Sequence, residues 1–203
     1  MGEYLNGQNM LVKSRDIHLR FLRKTDATRL LAAIEESRHE LEQHVIGPSR
    51  LRSVPEAEQM IERAKQQRKA RQGYFLGIFA SPTSQYVGYV NLHGISPRIR
   101  SGEVGYWVRT SQAGKGIATT ATALIVLFGF KELKLHKIVL RAAVDNPASW
   151  RIAEKLGFVY EGTQRHEQLL PRGWVDLKCY SMLETEFRQL KPKITRLAKG
   201  KKD

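Results

Sequence analysis

The stretch Gly102-Glu-Val-Gly-Tyr-Trp-Val-Arg-Thr-Ser-Gln-Ala-Gly-Lys-Gly-Ile-Ala118 decides how this chain is read. It runs from an alternating β pattern through two closely spaced glycines, Gly114 and Gly116, into a helical stripe of Ile117, Ala121, Leu124, Ile125 and Phe128. A strand that turns on glycines straight into a helix presents the helix's first N–H groups, which have no internal partner, outward. Glycine lets the main chain approach a ligand closely, so the layout suits a phosphate or pyrophosphate. Two familiar phosphate patterns fail. A P-loop would need glycine at 109 and Ser or Thr at 116, where the chain has Arg109 and Gly116, and the dinucleotide fingerprint would need glycine at 119, which is Thr119. What remains is Gln112-Ala113-Gly114-Lys115-Gly116-Ile117-Ala118, which by itself also fits a purely structural strand-to-helix turn.

Downstream, Asp145-Asn-Pro-Ala-Ser-Trp-Arg-Ile-Ala-Glu-Lys-Leu-Gly-Phe158 opens a second helix. Asn146 is a good N-cap, Pro147 suits the first helical position, and Gly157 sits where a left-handed C-cap belongs. Upstream, a strand over 17–22 leads to a helix with Leu30, Leu31, Ile34 and Leu41 on one face, and Ser53-Val-Pro-Glu56 is a capping box opening another. Strands over 74–79, 86–93 and 102–108, separated by Ser-Pro turns, form an antiparallel meander. A strand over 136–144 and a hairpin of 158–166 with 174–183 complete the set. This order predicts an α/β (α+β) domain: a mixed, mostly antiparallel sheet of about seven strands flanked by helices on both faces.

At 203 residues the chain holds one core rather than two, and the longest apolar run, near 123–128, is far too short to cross a bilayer. The N-terminus lacks a basic stretch followed by an apolar one, so the cytoplasm is expected. Cys179 has no partner for a disulfide and reads as a small core filler. The histidines show no metal-ligand spacing, and no metal is expected. A net charge of +14 is the one unusual bulk property, and 188–203 carries seven basic residues against one acid. We therefore read a single domain over 1–187 followed by a basic tail over 188–203, either solvated or docking to an acidic partner, RNA or the ribosome.

Gln112-x-Gly114-x-Gly116, followed by Asn146-x-x-Ser149, Lys155-x-Gly157-Phe158, Glu161-Gly162 and Gly173-Trp-Val-Asp176 with Tyr180, resembles the GNAT acyl-CoA N-acyltransferases. Within them it resembles the RimJ/RimL-like branch of ribosomal-protein N-terminal acetyltransferases, over about residues 15 to 187 with Arg20 and Asp26 in place. The resemblance implies acetyl-CoA as acyl donor, its pyrophosphate held by main-chain amides between Ala113 and Ala118, with strands splayed to admit the pantetheine arm. It places Trp107, Val108, Arg109, Gln112, Ala113, Gly114, Lys115, Gly116, Ile117, Ala118, Asn146 and Arg151 around that donor. It implies Glu103 as general base, often through water, Ser149 as proton donor to the departing sulfur, and hints at a homodimer. One departure stands out: close relatives carry glutamate where this chain has Thr120.

Amide formation needs a neutral amine, a polarised carbonyl and a thiolate leaving group. At pH 7 an α-amine costs about 1 kcal/mol to deprotonate and a lysine about 4.6, so one weak base serves the former. The Val108 N–H could polarise the thioester oxygen. Each side chain has a plainer alternative: Glu103 a cross-strand ion pair, Ser149 a local first-turn hydroxyl, Arg151 and Lys155 solvated helix positions. The leading expectation is acetylation of a protein α-amine, plausibly ribosomal. The alternatives are a small amine such as a polyamine, for which Glu35, Glu36, Glu40 and Glu42 could supply an acidic pocket, and a ribosome- or RNA-binding module without chemistry.

Overall fold

The computed structural model describes residues 11–200 apart from residue 46. One sheet of eight strands runs in the order β1-β2-β3-β4-β5-β6-β8-β7. The strands are β1 (Leu11–Lys13), β2 (Ile17–Phe21), β3 (Tyr74–Ala80), β4 (Tyr86–Ser96), β5 (Ser101–Val108), β6 (Lys137–Ala143), β7 (Val159–Leu170) and β8 (Gly173–Leu183). All neighbours are antiparallel except β5 and β6. The strand absent from the sequence reading is β1, three residues too short to show an alternation.

Period-two alternation sorts the sheet into two cores. Leu76, Ile78, Val90, Leu92 and Val104 face one side, in a cluster with residues of α3 (Ile117–Lys131), α4 (Pro147–Leu156) and α5 (Glu184–Ala198). Phe79, Tyr86, Tyr89 and Trp107 face the other, under α1 (Ala27–His44) and α2 (Val54–Lys69). A bulge lets β4 serve both: the register with β3 skips a residue beside Gly88, whose φ is +151° and whose absent side chain lets the Trp107 carbonyl approach. A Cβ there would lie 2.2 Å from that oxygen.

The basic segment expected as a tail belongs to the core. Residue 187 lies inside α5, whose Phe187, Ile194, Leu197 and Ala198 are buried, with Phe187 stacked on Phe130 of α3 at 4.5 Å. Apolar residues at a helical spacing among the lysines outweigh the charge run. Residues 201–203 lie outside the described residues.

The functional geometry comes from β5 and β6. They pair only at Ser101↔Lys137, Gly102↔Ile138 and Glu103↔Val139, although both strands continue. Beyond Glu103 the sheet is split, and the gap opens toward the C-terminal ends of two parallel strands, where α3 and α4 begin.

Candidate active site

At the end of β5 the Arg109 N–H bonds to the Val87 carbonyl at 2.8 Å. Antiparallel pairing alternates, so the preceding Val108 N–H turns away from β4 toward the gap. A 3-10 turn over Thr110–Gln112 follows, closed by the Ala113 N–H on the Thr110 carbonyl at 3.1 Å. Gly114 and Gly116 adopt φ of +73° and +79°, with nothing within 4 Å of where a side chain would begin. These glycines therefore serve backbone conformation rather than room. The N–H groups from Gly114 through Thr119 make no hydrogen bond among the described residues; the first helical bond is Thr120 N–H to Gly116 carbonyl, 3.0 Å. Six free donors at the positive end of α3 fit a diphosphate. The Ala113 N–H is already used, so the cradle starts one residue later than the sequence suggested.

The facing wall is α4. Asn146 caps it by accepting from the Ser149 N–H at 3.1 Å, and Gly157 ends it with φ of +88°. The Ser149 hydroxyl lies 3.0 Å from the Tyr106 hydroxyl, which also donates to the Ser149 carbonyl. Burial pushes the Tyr106 pKa up to about 12, partly offset by its bond to Ser149, so that hydroxyl keeps its proton at neutral pH. The Ser149 hydroxyl thus bonds across the gap to β5 rather than to its own helix.

On the opposite face of the same strand, Glu103 receives Arg141 of β6: Nε at 3.2 and 3.1 Å from its two oxygens, and Nη2 at 2.8 Å. Arg141 also reaches Glu167 of β7 at 2.7 Å, and its own pKa is raised, first by the bond to Glu103. Glu103 therefore makes the inter-strand ion pair that was its plainer reading. His93 of β4 stands directly opposite Glu103 in register. Asn91, buried, accepts the Gly105 N–H at 3.0 Å. Arg172, at the β7–β8 turn, binds Asp145 through two nitrogens at 2.7 and 2.8 Å and donates to the Gln43 carbonyl at 3.1 Å. It ties the hairpin to the end of α1 and so fixes the outer wall.

A cavity of about 900 Å³ joins the two halves. Its lining includes Glu103, Trp107, Val108, Gln112, Ala113, Gly114, Gly116, Ile117, Ala118, Asn146 and Ser149 from the sequence reading. Three candidates fall outside. Arg109 turns to Glu36 of α1, bonded through Nε at 2.9 Å and Nη2, and holds that carboxyl down at a pKa of about 2. The Lys115 ammonium folds onto the Ser111 carbonyl and Gln112 Oε1, both at 3.0 Å. Arg151 is exposed, 5.5 Å from the Trp150 ring, whereas Lys155 lines the cavity. Thr120 is buried in the first turns of α3. Sequence reasoning missed His93, Asn91, Tyr106 and Arg141; only strand register brings them to Glu103 and Ser149. Among the described residues no cluster of three His, Cys, Asp or Glu side chains is placed to hold a metal, and no helix is long and apolar enough to cross a membrane.

Fold and site together set a row of unpaired main-chain amides beside a split sheet, an arrangement suited to a diphosphate-bearing donor. The Acetyltransferase (GNAT) domain family matches residues 16–159, and the chain belongs to that family. It is an acetyl-CoA-dependent N-acetyltransferase. Its relatives include the "Probable N-acetyltransferase YjcK" of Bacillus subtilis, 30% identical over 88% of this chain and 100% of that one. The "Ribosomal-protein-serine acetyltransferase" of Escherichia coli is 26% identical over 56% of this chain and 63% of its own length. Among solved structures, Mycobacterium smegmatis RimJ in complex with CoA-disulfide superposes with a TM-score of 0.84 at 21% identity, covering 93% of this chain and 94% of that one.

Proposed function

We propose that the enzyme acetylates the N-terminal α-amine of a protein, a ribosomal protein being the class that its relatives favour. Acetyl-CoA lies with its diphosphate on the free amides of residues 114–119 and its thioester in the split beside Val108, whose N–H polarises the carbonyl. Ser149, bonded to Tyr106, returns a proton to the coenzyme sulfur, and Glu103 supplies the negative charge that draws the amine's proton away.

The observation that carries the acceptor class is the state of the acidic residues on α1. Glu35 is bonded to Arg38, Glu36 to Arg109 and the Ser111 N–H, and Glu42 to Arg52, leaving only Glu40 of the four to line the cavity. Glu103 and Glu167 are both paired with Arg141. Glu40 accepts from the Thr110 hydroxyl at 3.1 Å and is the one of the four outside an ion pair among the described residues; a single carboxylate is a poor match for a polycation, whereas a single α-amine, cheap to deprotonate, needs no acidic wall. The exposed Arg188 and Lys191 of α5, with Lys199 just past its end, extend the basic surface toward a polyanionic partner such as the ribosome.

Thiol release from acetyl-CoA, followed with peptides bearing free N-termini, spermidine and aminoglycosides, tests the reading. Release with free-N-terminus peptides, lost when those termini are blocked, is expected; release with spermidine alone would contradict it.

A further inference from the structure

Resting on the acceptor reading just given, we propose that His93 is the group that takes the proton from the attacking α-amine, with Glu103 behind it as a fixed counter-charge. At Gly105 no left-handed conformation explains the glycine; space does. A Cβ at 105 would stand 2.8 Å from Asn91 Oδ1 and 3.6 Å from His93 Nε2. The missing side chain therefore leaves a hollow on the acceptor face of β5, bordered by His93 Nε2 and Asn91, between Glu103 and Trp107 along the strand. An amine seated there is within reach of a basic nitrogen and still on the strand that carries the Val108 N–H.

Of the two basic groups at this hollow, only His93 stands outside an ion pair among the described residues. Both Glu103 oxygens are occupied by Arg141, so protonating it would displace charge-assisted hydrogen bonds. Neither imidazole nitrogen of His93 has a hydrogen-bond partner among the described residues, and the side chain lines the cavity. The charged groups around it are Glu103 on β5, Arg141 on β6 and, behind Arg141, Glu167 on β7, while Glu40 and His44 of α1 line the same cavity. Burial, helped by Arg141 and opposed by Glu103, lowers the His93 pKa below its ordinary 6.5, so the ring is neutral and ready to accept at pH 7. In the transfer the amine nitrogen bonds to the acetyl carbon, the carbon–sulfur bond breaks, the amine's proton passes to His93 Nε2, and the sulfur takes one from Ser149. Exchange with solvent then restores both groups, and the imidazolium is held meanwhile against the Glu103 carboxylate.

The test compares wild type, H93Q and E103Q with acetyl-CoA and an acetylatable free-N-terminus peptide. H93Q should lose roughly 100-fold in kcat while its KM for acetyl-CoA stays within about threefold, and E103Q should lose roughly tenfold. The wild-type kcat/KM should fall as pH drops through the lowered His93 pKa, and that acid limb should be missing in H93Q. In H93G, added imidazole should restore turnover, a rescue that a structural role would not allow. An H93Q enzyme within about threefold of wild type, with E103Q the slower variant, would overturn the assignment. Wild-type protein that releases no thiol with any amine would overturn the acceptor reading and this assignment together.

Discussion

The two halves of the cavity are built from different materials. The half proposed for the donor consists of main-chain N–H groups, set in place by two left-handed glycines and the start of α3, while Lys115 and Arg109 there bond to other protein groups. The half proposed for the acceptor consists of side chains, Asn91, His93, Glu103 and Arg141, delivered from three strands. A diphosphate is the same in every reaction, so a rigid backbone nest recognises it without adjustment. An acceptor differs between relatives, and side chains at fixed register positions can be exchanged without disturbing the sheet.

Substitutions test whether the two halves act separately. The largest effect is expected from G105V, which fills the acceptor hollow and hits Asn91: kcat/KM for the amine should fall roughly 100-fold while calorimetric acetyl-CoA affinity is kept. Next is G116V, which forces a β-branched residue into left-handed backbone, and here the pattern reverses. Acetyl-CoA affinity should drop about tenfold, or about 1.4 kcal/mol, with the acceptor KM unchanged. S149A should lower kcat roughly tenfold at constant KM for both substrates, near the bottom of the range for acid–base groups because a thiolate with a pKa of about 8.5 leaves readily. R151A should change neither constant by more than about twofold in steady-state assays, as for an ordinary surface site. If G105V and G116V damaged donor and acceptor binding alike, the halves would not be separable.

The backbone of the glycine turn and of α4 was legible because special conformations leave composition behind: Gly114, Gly116, Asn146, Pro147 and Gly157 each mark a conformation or cap that few other residues supply. The fold was legible for the same reason, since alternation and capping are local. What register decides was hidden. Nothing near His93 in the chain announces that it stands opposite Glu103, and Arg141 lies 38 positions away from its partner. Tyr106 sat within the decisive stretch, yet its bond to Ser149 depends on how α4 packs across the gap. The tail reading over 188–203 failed for a different reason: seven basic residues against one acid mark the segment as solvated, while four buried apolar positions of α5 decide its place.

The central claim is that the free amides from Gly114 to Thr119 hold the diphosphate of acetyl-CoA. Amide NMR of the labelled protein, titrated with acetyl-CoA, addresses it most directly. The largest shifts and new hydrogen-exchange protection are expected on residues 114–119, followed by Val108. Saturating acetyl-CoA that left those amides unchanged while shifting others would contradict it.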